Sequence, residues 1–138
     1  MTTKNLFNRA FDNWPCLDGH EYIEAGLDGG VTARAYIEID PYASPDEECP
    51  EDVKAFDNDM LHYCTMTLNV YVNGACIQRG ARSLHQIGIE DGGSGVGDYL
   101  TECANDLLSE IDLESLVGEF AEKATAAARA VRRRRKDD

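Results

Sequence analysis

Between Ser83 and Glu122 the chain has no lysine and no arginine, although ten aspartates and glutamates fall within those forty residues. Binding to a nucleic acid draws on cations that meet its phosphates, so this stretch is excluded as a direct DNA-binding surface. Nowhere does the sequence approach the roughly 18–20 consecutive apolar residues that a membrane-spanning helix needs. Met1-Thr2-Thr3-Lys4-Asn5 also lacks the apolar core of a signal peptide. A cytoplasmic protein with no membrane partner is the expectation. Paired cysteine spacing is missing too. Cys16, Cys49, Cys64, Cys76 and Cys103 are odd in number and form no CxxC pair, which speaks against a disulfide framework and for reduced thiols.

What the chain has instead is negative charge, unevenly placed. Its 138 residues carry a net charge of −13, with 43% hydrophobic and 28% charged residues, proportions compatible with one folded domain and a real core. Residues 1–128 hold 24 acidic against 7 basic side chains, while Arg129 to Lys136 contains six basic ones. The reading is a single domain over residues 1–131 followed by a basic tail, 132–138.

Hydrophobic periodicity supplies the elements. Leu6, Phe7, Ala10, Phe11 and Trp14 recur at helical spacing and predict a short helix ended by Pro15, with Thr2 or Thr3 as its cap. Ile23, Ala25 and Leu27, then Val31, Ala33, Ala35, Ile37 and Ile39, alternate with polar residues. Both sets share a face only if Leu27 stands opposite Val31 across a three-residue Asp28-Gly29-Gly30 loop, which also pairs Tyr22 with Tyr36 and Glu24 with Arg34. Pro50-Glu51-Asp52 opens a helix running to about Met60. Asn73-Gly74 is a two-residue turn placing Val72 opposite Ala75, Leu68 opposite Arg79 and His62 opposite His85. After Gly92-Gly93-Ser94-Gly95 the period becomes helical: Val96, Leu100, Cys103, Leu107 and Ile111 form one helix capped by Ser94. Leu116, Val117, Phe120, Ala124, Ala127 and Val131 form a second, with Asp112 as cap or kink. The predicted fold is α+β: a four-stranded antiparallel sheet of two hairpins, helices packed on one face and a long C-terminal helical segment.

Chemistry is sparse. His62 opposite His85, with Cys64 nearby and Cys49 or Cys103 as further donors, has the elements of a zinc site. Without a CxxC or HxxxH knuckle it reads instead as a packed histidine pair, and no metal or other cofactor is assigned. No local pattern activates a cysteine, and acidic surroundings raise a thiol pKa. Gly93-Ser94-Gly95-Val96-Gly97 lacks the Lys-Ser/Thr of a phosphate loop, and Glu90, Asp91 and Asp98 would repel a phosphate, so it reads as a hinge. The expectation is a protein that is not an enzyme.

Two carboxylate arrays remain. Asp98, Glu102, Asp106 and Glu110 follow at four-residue intervals, a stripe with roughly 6 Å between steps along a helix, continued by Glu114. Like charges at that spacing cost a few tenths of a kcal/mol per pair, and helices ordinarily interleave cations. From Glu38 to Asp59 there are nine acids against Lys54 alone, densest at Asp46, Glu47, Glu48, Glu51 and Asp52. Fixed carboxylates at such spacing imitate the phosphate rows that nucleic-acid-binding sites are built to receive, although an acidic surface also simply keeps a protein soluble. The first of these implies a partner that is a nucleic-acid-binding protein complex. The alternative is an adaptor or homo-oligomeric structural component, in which the surface near Phe120 and the alanine-rich helix meets another chain. A monomer or a homodimer fits either reading.

In size, acidity and α+β layout the chain resembles the small acidic accessory proteins of phages and plasmids, of the anti-CRISPR and anti-restriction type. Tyr71-Val72-Asn73-Gly74, Ser83-Leu84-His85-Gln86-Ile87-Gly88-Ile89-Glu90-Asp91 and Tyr99-Leu100 look like phage proteins in which a hairpin leads into a helix. The resemblance implies inhibition of a CRISPR effector or restriction enzyme by DNA mimicry, and carries over no particular residue.

Overall fold

Two turns and a continuous pairing between them organise the sheet. The computed structural model describes residues 5–91 and 93–137. Strand β1 (Asp18–Gly26) turns through Asp28–Gly30 into β2 (Val31–Ile39), and β3 (Leu61–Val72) turns into β4 (Ala75–Glu90). At the second turn Asn73 and Gly74 both have positive φ, 49° and 86°, the geometry for which Asn-Gly is selected in a two-residue hairpin. The first hairpin has the expected register, with Tyr22 opposite Tyr36, Glu24 opposite Arg34 and Ala25 opposite Ala33. Strands β2 and β3 pair antiparallel from Val31↔Val72 to Ile39↔Cys64 without a shift, so the hairpins lie side by side in the order β1-β2-β3-β4.

Helices α1 (Pro50–Asp57), α2 (Val96–Ser109) and α3 (Leu113–Asp137) complete the α+β fold. Leu100, Ala104, Leu107 and Leu108 of α2 cover the face carrying Ile23, Ala33, Ala35, Ile37, Cys64, Met66, Leu68, Ile87 and Ile89. Phe56 of α1 meets Tyr63 with ring centroids 5.8 Å apart. Tyr63 neighbours the buried Cys64 along β3 and so points to the opposite face. The packed helical layer is α2, on the core face as expected, and α1 buries no residue of its own.

The second hairpin departs from the predicted register. β4 has 16 residues against 12 in β3, and the surplus is absorbed in bulges between Cys64 and Met66, Leu68 and Val70, and Val70 and Tyr71. Leu68 consequently faces Arg82 rather than Arg79, and His62 faces Ile89 rather than His85. One bulge lies at Gln86, whose φ is 58°. Asp40 ties it to the preceding loop, accepting hydrogen bonds from the backbone of Tyr42 (3.1 Å), from the backbone of Gln86 (3.4 Å) and from Thr65 Oγ1 (3.3 Å). Desolvation acts to raise the Asp40 carboxyl, but these hydrogen bonds outweigh it and hold its pKa below the ordinary value. The folded state thus binds this proton less readily than the unfolded chain. The resulting stabilisation is present above the unfolded carboxylate pKa and lost as pH falls through the lower folded one. Asp40→Asn is expected to be less stable than the wild type at pH 7, with the gap closing as the carboxylate range is titrated in acid denaturation series.

Residues 5–17 form no helix, contrary to the periodicity of Leu6 to Trp14; Thr2 and Thr3, its expected caps, lie outside the described residues. The segment instead bends at Asn8–Arg9 and Asn13–Trp14 as it lies along the core, Phe7 bridging to Ala25 and Asn8 N donating to Glu24 O at 2.8 Å. Phe7 and Phe11 are buried, whereas Trp14 is 61% exposed. Two polar residues of α2 take up backbone donors that a helix would have used internally. Phe11 N donates to Thr101 Oγ1 and Leu6 N to Asn105 Oδ1, both at 3.0 Å. Asn105 also donates from Nδ2 to Asn5 Oδ1 and Thr101 O, each at 3.0 Å. Asn105→Ala removes these part-buried bonds together with its own buried one and is expected to cost about 2 kcal/mol, read by urea denaturation.

Helix ends differ in smaller ways. α1 closes at Asp57 rather than Met60, with Asn58 N bonding to Lys54 O. Gly95, at φ 82°, holds the N-cap position of α2, where Ser94 was expected to cap. Asp112 does cap α3, its Oδ1 accepting from Ser115 N at 3.1 Å. That helix then continues without a break through residues 132–137, the segment read from the sequence as a tail.

Candidate interaction surfaces

α2 is amphipathic to the point of division. Its inner face is fixed in the core through Leu100, Ala104, Leu107 and Leu108, leaving Asp98, Glu102 and Asp106 together on the exposed side. The ion pairs among the described residues are Arg34–Glu24, His62–Asp91 and Arg82–Glu110, so these three carboxylates stand without a cation. Glu110 is the C-cap residue rather than a helical one, and its Oε2 lies 4.0 Å from Arg82 Nε. Glu114 follows, exposed, in the first turn of α3.

Asp46, Glu47, Glu48, Glu51 and Asp52 gather, all exposed, around the start of α1. Their positions have local reasons. Asp46 Oδ1 accepts from Glu48 N at 3.0 Å, while Glu51 and Asp52 occupy the first helical turn, where negative charge complements the helix dipole. Asp98 has the same reason in the first turn of α2, but Asp106 and Glu110 have none: they sit at the C-terminal end, which the dipole makes unfavourable for anions.

The expected histidine pair is not brought together. His62 Nε2 is 2.8 Å from Asp91 Oδ1, His85 Nδ1 is 3.2 Å from Thr65 Oγ1, and Cys64 Sγ is turned inward, donating to Ile87 O. Burial pushes the Cys64 thiol up to about 12 and also raises Cys103, while a side-chain hydrogen bond with Asp18 raises Cys16. These three thiols are held away from the reactive thiolate form at neutral pH.

The outer sheet face carries a cluster whose full extent was not read from the sequence. Arg34 Cζ lies between the rings of Tyr22 and Tyr71, 4.7 and 4.5 Å from their centroids, and its Nε reaches Glu24 Oε2 at 2.8 Å. Tyr36 and Tyr71 hydroxyls are 3.1 Å apart. Alternation within the first hairpin identified Tyr22, Glu24, Arg34 and Tyr36. Tyr71 joins them only through the pairing of Thr32 with Tyr71 between hairpins, which no local signal specifies. Beside the cluster lies an open groove of about 530 Å³, lined among others by Tyr36, Thr67, Asn69 and Arg79. No helix of the described residues is long and apolar enough to cross a membrane. Comparison with protein-family models, with curated proteins and with solved structures finds no match to this chain.

Proposed function

We propose that this protein is a non-enzymatic inhibitor that binds a nucleic-acid-handling complex, of the CRISPR-effector or restriction-enzyme type, through an acidic surface that takes the place of nucleic acid. The observation that carries the reading is the α2 stripe of Asp98, Glu102 and Asp106. These carboxylates are exposed, unpaired among the described residues, held on a helix whose opposite side is locked in the core, and spaced by one helical step. Like-charge repulsion disfavours this spacing, and the helix dipole further disfavours Asp106 near the C-terminal end. A surface retained against its own local energetics is supported by a role in recognition. Steering by such a field makes association fast and salt-sensitive.

Capture from a host lysate on the immobilised chain, eluted by a salt gradient and read by mass spectrometry, tests this. A complex that binds nucleic acid and elutes at moderate salt is expected. Recovery only of proteins with no nucleic-acid activity would refute the reading.

A further inference from the structure

α3 leaves the body after about a turn and a half. Leu113, Leu116 and Val117 are half-buried, but every residue from Gly118 to Arg135 is exposed, including Phe120 at 38% and Val131 at 55%. That is roughly 27 Å of helix at 1.5 Å per residue on which none of the described residues packs. Helices in proteins draw most of their stability from a packed face. This one has such a face ready: Leu113, Val117, Phe120, Ala124, Ala127 and Val131 alternate at spacings of four and three, the 3.5-residue period of a two-helix seam.

We infer that α3 is a self-association helix that pairs antiparallel with α3 of a second copy. This goes beyond the inhibitor reading and does not depend on it. The occupant follows from charge. The near end of the helix bears Glu114, Glu119 and Glu122, and the far end bears Arg129 and Arg132 to Arg135. Parallel pairing would set acid on acid and base on base; antiparallel pairing sets each basic end on the other copy's acidic base.

Volumes agree with this arrangement. With Leu113 level with Val131 of the second copy, Val117 meets Ala127 and Phe120 meets Ala124, large against small along the seam. Arg132 then reaches the level of Asp112 of the other chain, the residue that caps α3. At that same end an apolar cleft of about 560 Å³ lies open, floored by Leu27, Val31, Leu113 and Val117 and edged by Asp28 and Glu114. It suits Val131 with arginines beside it. The contact is two-fold symmetric and closes on itself.

Sedimentation equilibrium of the full chain decides the matter. A dimer is expected that weakens at least tenfold between 50 and 500 mM salt, roughly a threefold change in Debye length. Phe120→Asp is expected to give a monomer with unchanged thermal unfolding of the body. Arg132→Glu/Arg133→Glu/Arg134→Glu and Glu114→Lys/Glu119→Lys should each fail to self-associate yet form a heterodimer when mixed. A wild-type monomer at 100 μM would overturn the proposal, as would a dimer that tightens with salt, the parallel result, or one indifferent to both charge variants. A monomer that retards a DNA duplex would assign the basic end to nucleic acid and equally overturn it.

Discussion

Gly97→Ala is expected to destabilise the protein by about 4 kcal/mol and to release the N-terminal segment from the core. Gly97 is buried in the first turn of α2, where its N–H donates to Asn13 Oδ1 at 2.8 Å. A Cβ there would overlap the carbonyl oxygen of Phe11 and crowd the backbone of Asp12. Backbone cannot rotate aside as a flexible side chain can, so either α2 or the N-terminal segment must move. Moving the segment breaks the bond from Phe11 N to Thr101 Oγ1 and withdraws the buried Phe7 and Phe11 rings. Overpacking alone costs about 1–3 kcal/mol, and the stranded polar groups add about 1–3 more. Denaturant unfolding gives the loss, and faster proteolysis within residues 5–17 of the native protein would locate it. A variant as stable as the wild type would mean that the segment is not seated against α2.

The second large effect is on binding. Asp98→Lys/Glu102→Lys/Asp106→Lys is expected to weaken capture of the proposed partner at least 100-fold while leaving the fold intact. Each change replaces an attraction with a repulsion at the surface proposed to meet a basic groove, and like-charge juxtaposition across an interface costs several kcal/mol. Within the monomer the same changes are nearly neutral. Lysine at position 106 favours the C-terminal end of α2, lysine at 98 disfavours its start, and the repulsive spacing only changes sign. Glu110 is left alone because its carboxylate lies near Arg82. Circular dichroism with thermal unfolding checks the fold and surface plasmon resonance the affinity. A folded variant that binds undiminished would remove α2 as the recognition surface.

Local chemistry made half of this molecule legible. Asn73-Gly74 and the alternation on either side of Asp28-Gly29-Gly30 specify both hairpin turns, because turn geometry and a one-sided core leave one register. The α2 stripe was equally plain, since a four-residue repeat of acids opposite Leu100 and Leu107 allows one arrangement. What failed was set by distant partners. Leu6 to Trp14 has helical spacing, yet Thr101 and Asn105, some ninety to one hundred residues away, supply acceptors that hold it out of a helix. Two of the three bulges in β4 place Gly80 and Gln86 at positive φ, which only the finished sheet requires, and from Val70 onward, away from the turn, every residue shifted its partner. The supposed histidine pair was lost in that shift. α3 presents the opposite case. Its seam and its charged halves are written in the sequence, but only the fold shows that its own body leaves them uncovered.

Direct competition with DNA tests the central claim most closely. The captured complex is held on the immobilised protein at fixed salt while a duplex oligonucleotide is titrated in, and release is followed by plasmon resonance. The account requires mutually exclusive binding, with the apparent dissociation constant rising in proportion to free DNA and no ternary species. Simultaneous binding of DNA and protein to the same complex, at unchanged affinity, would contradict it.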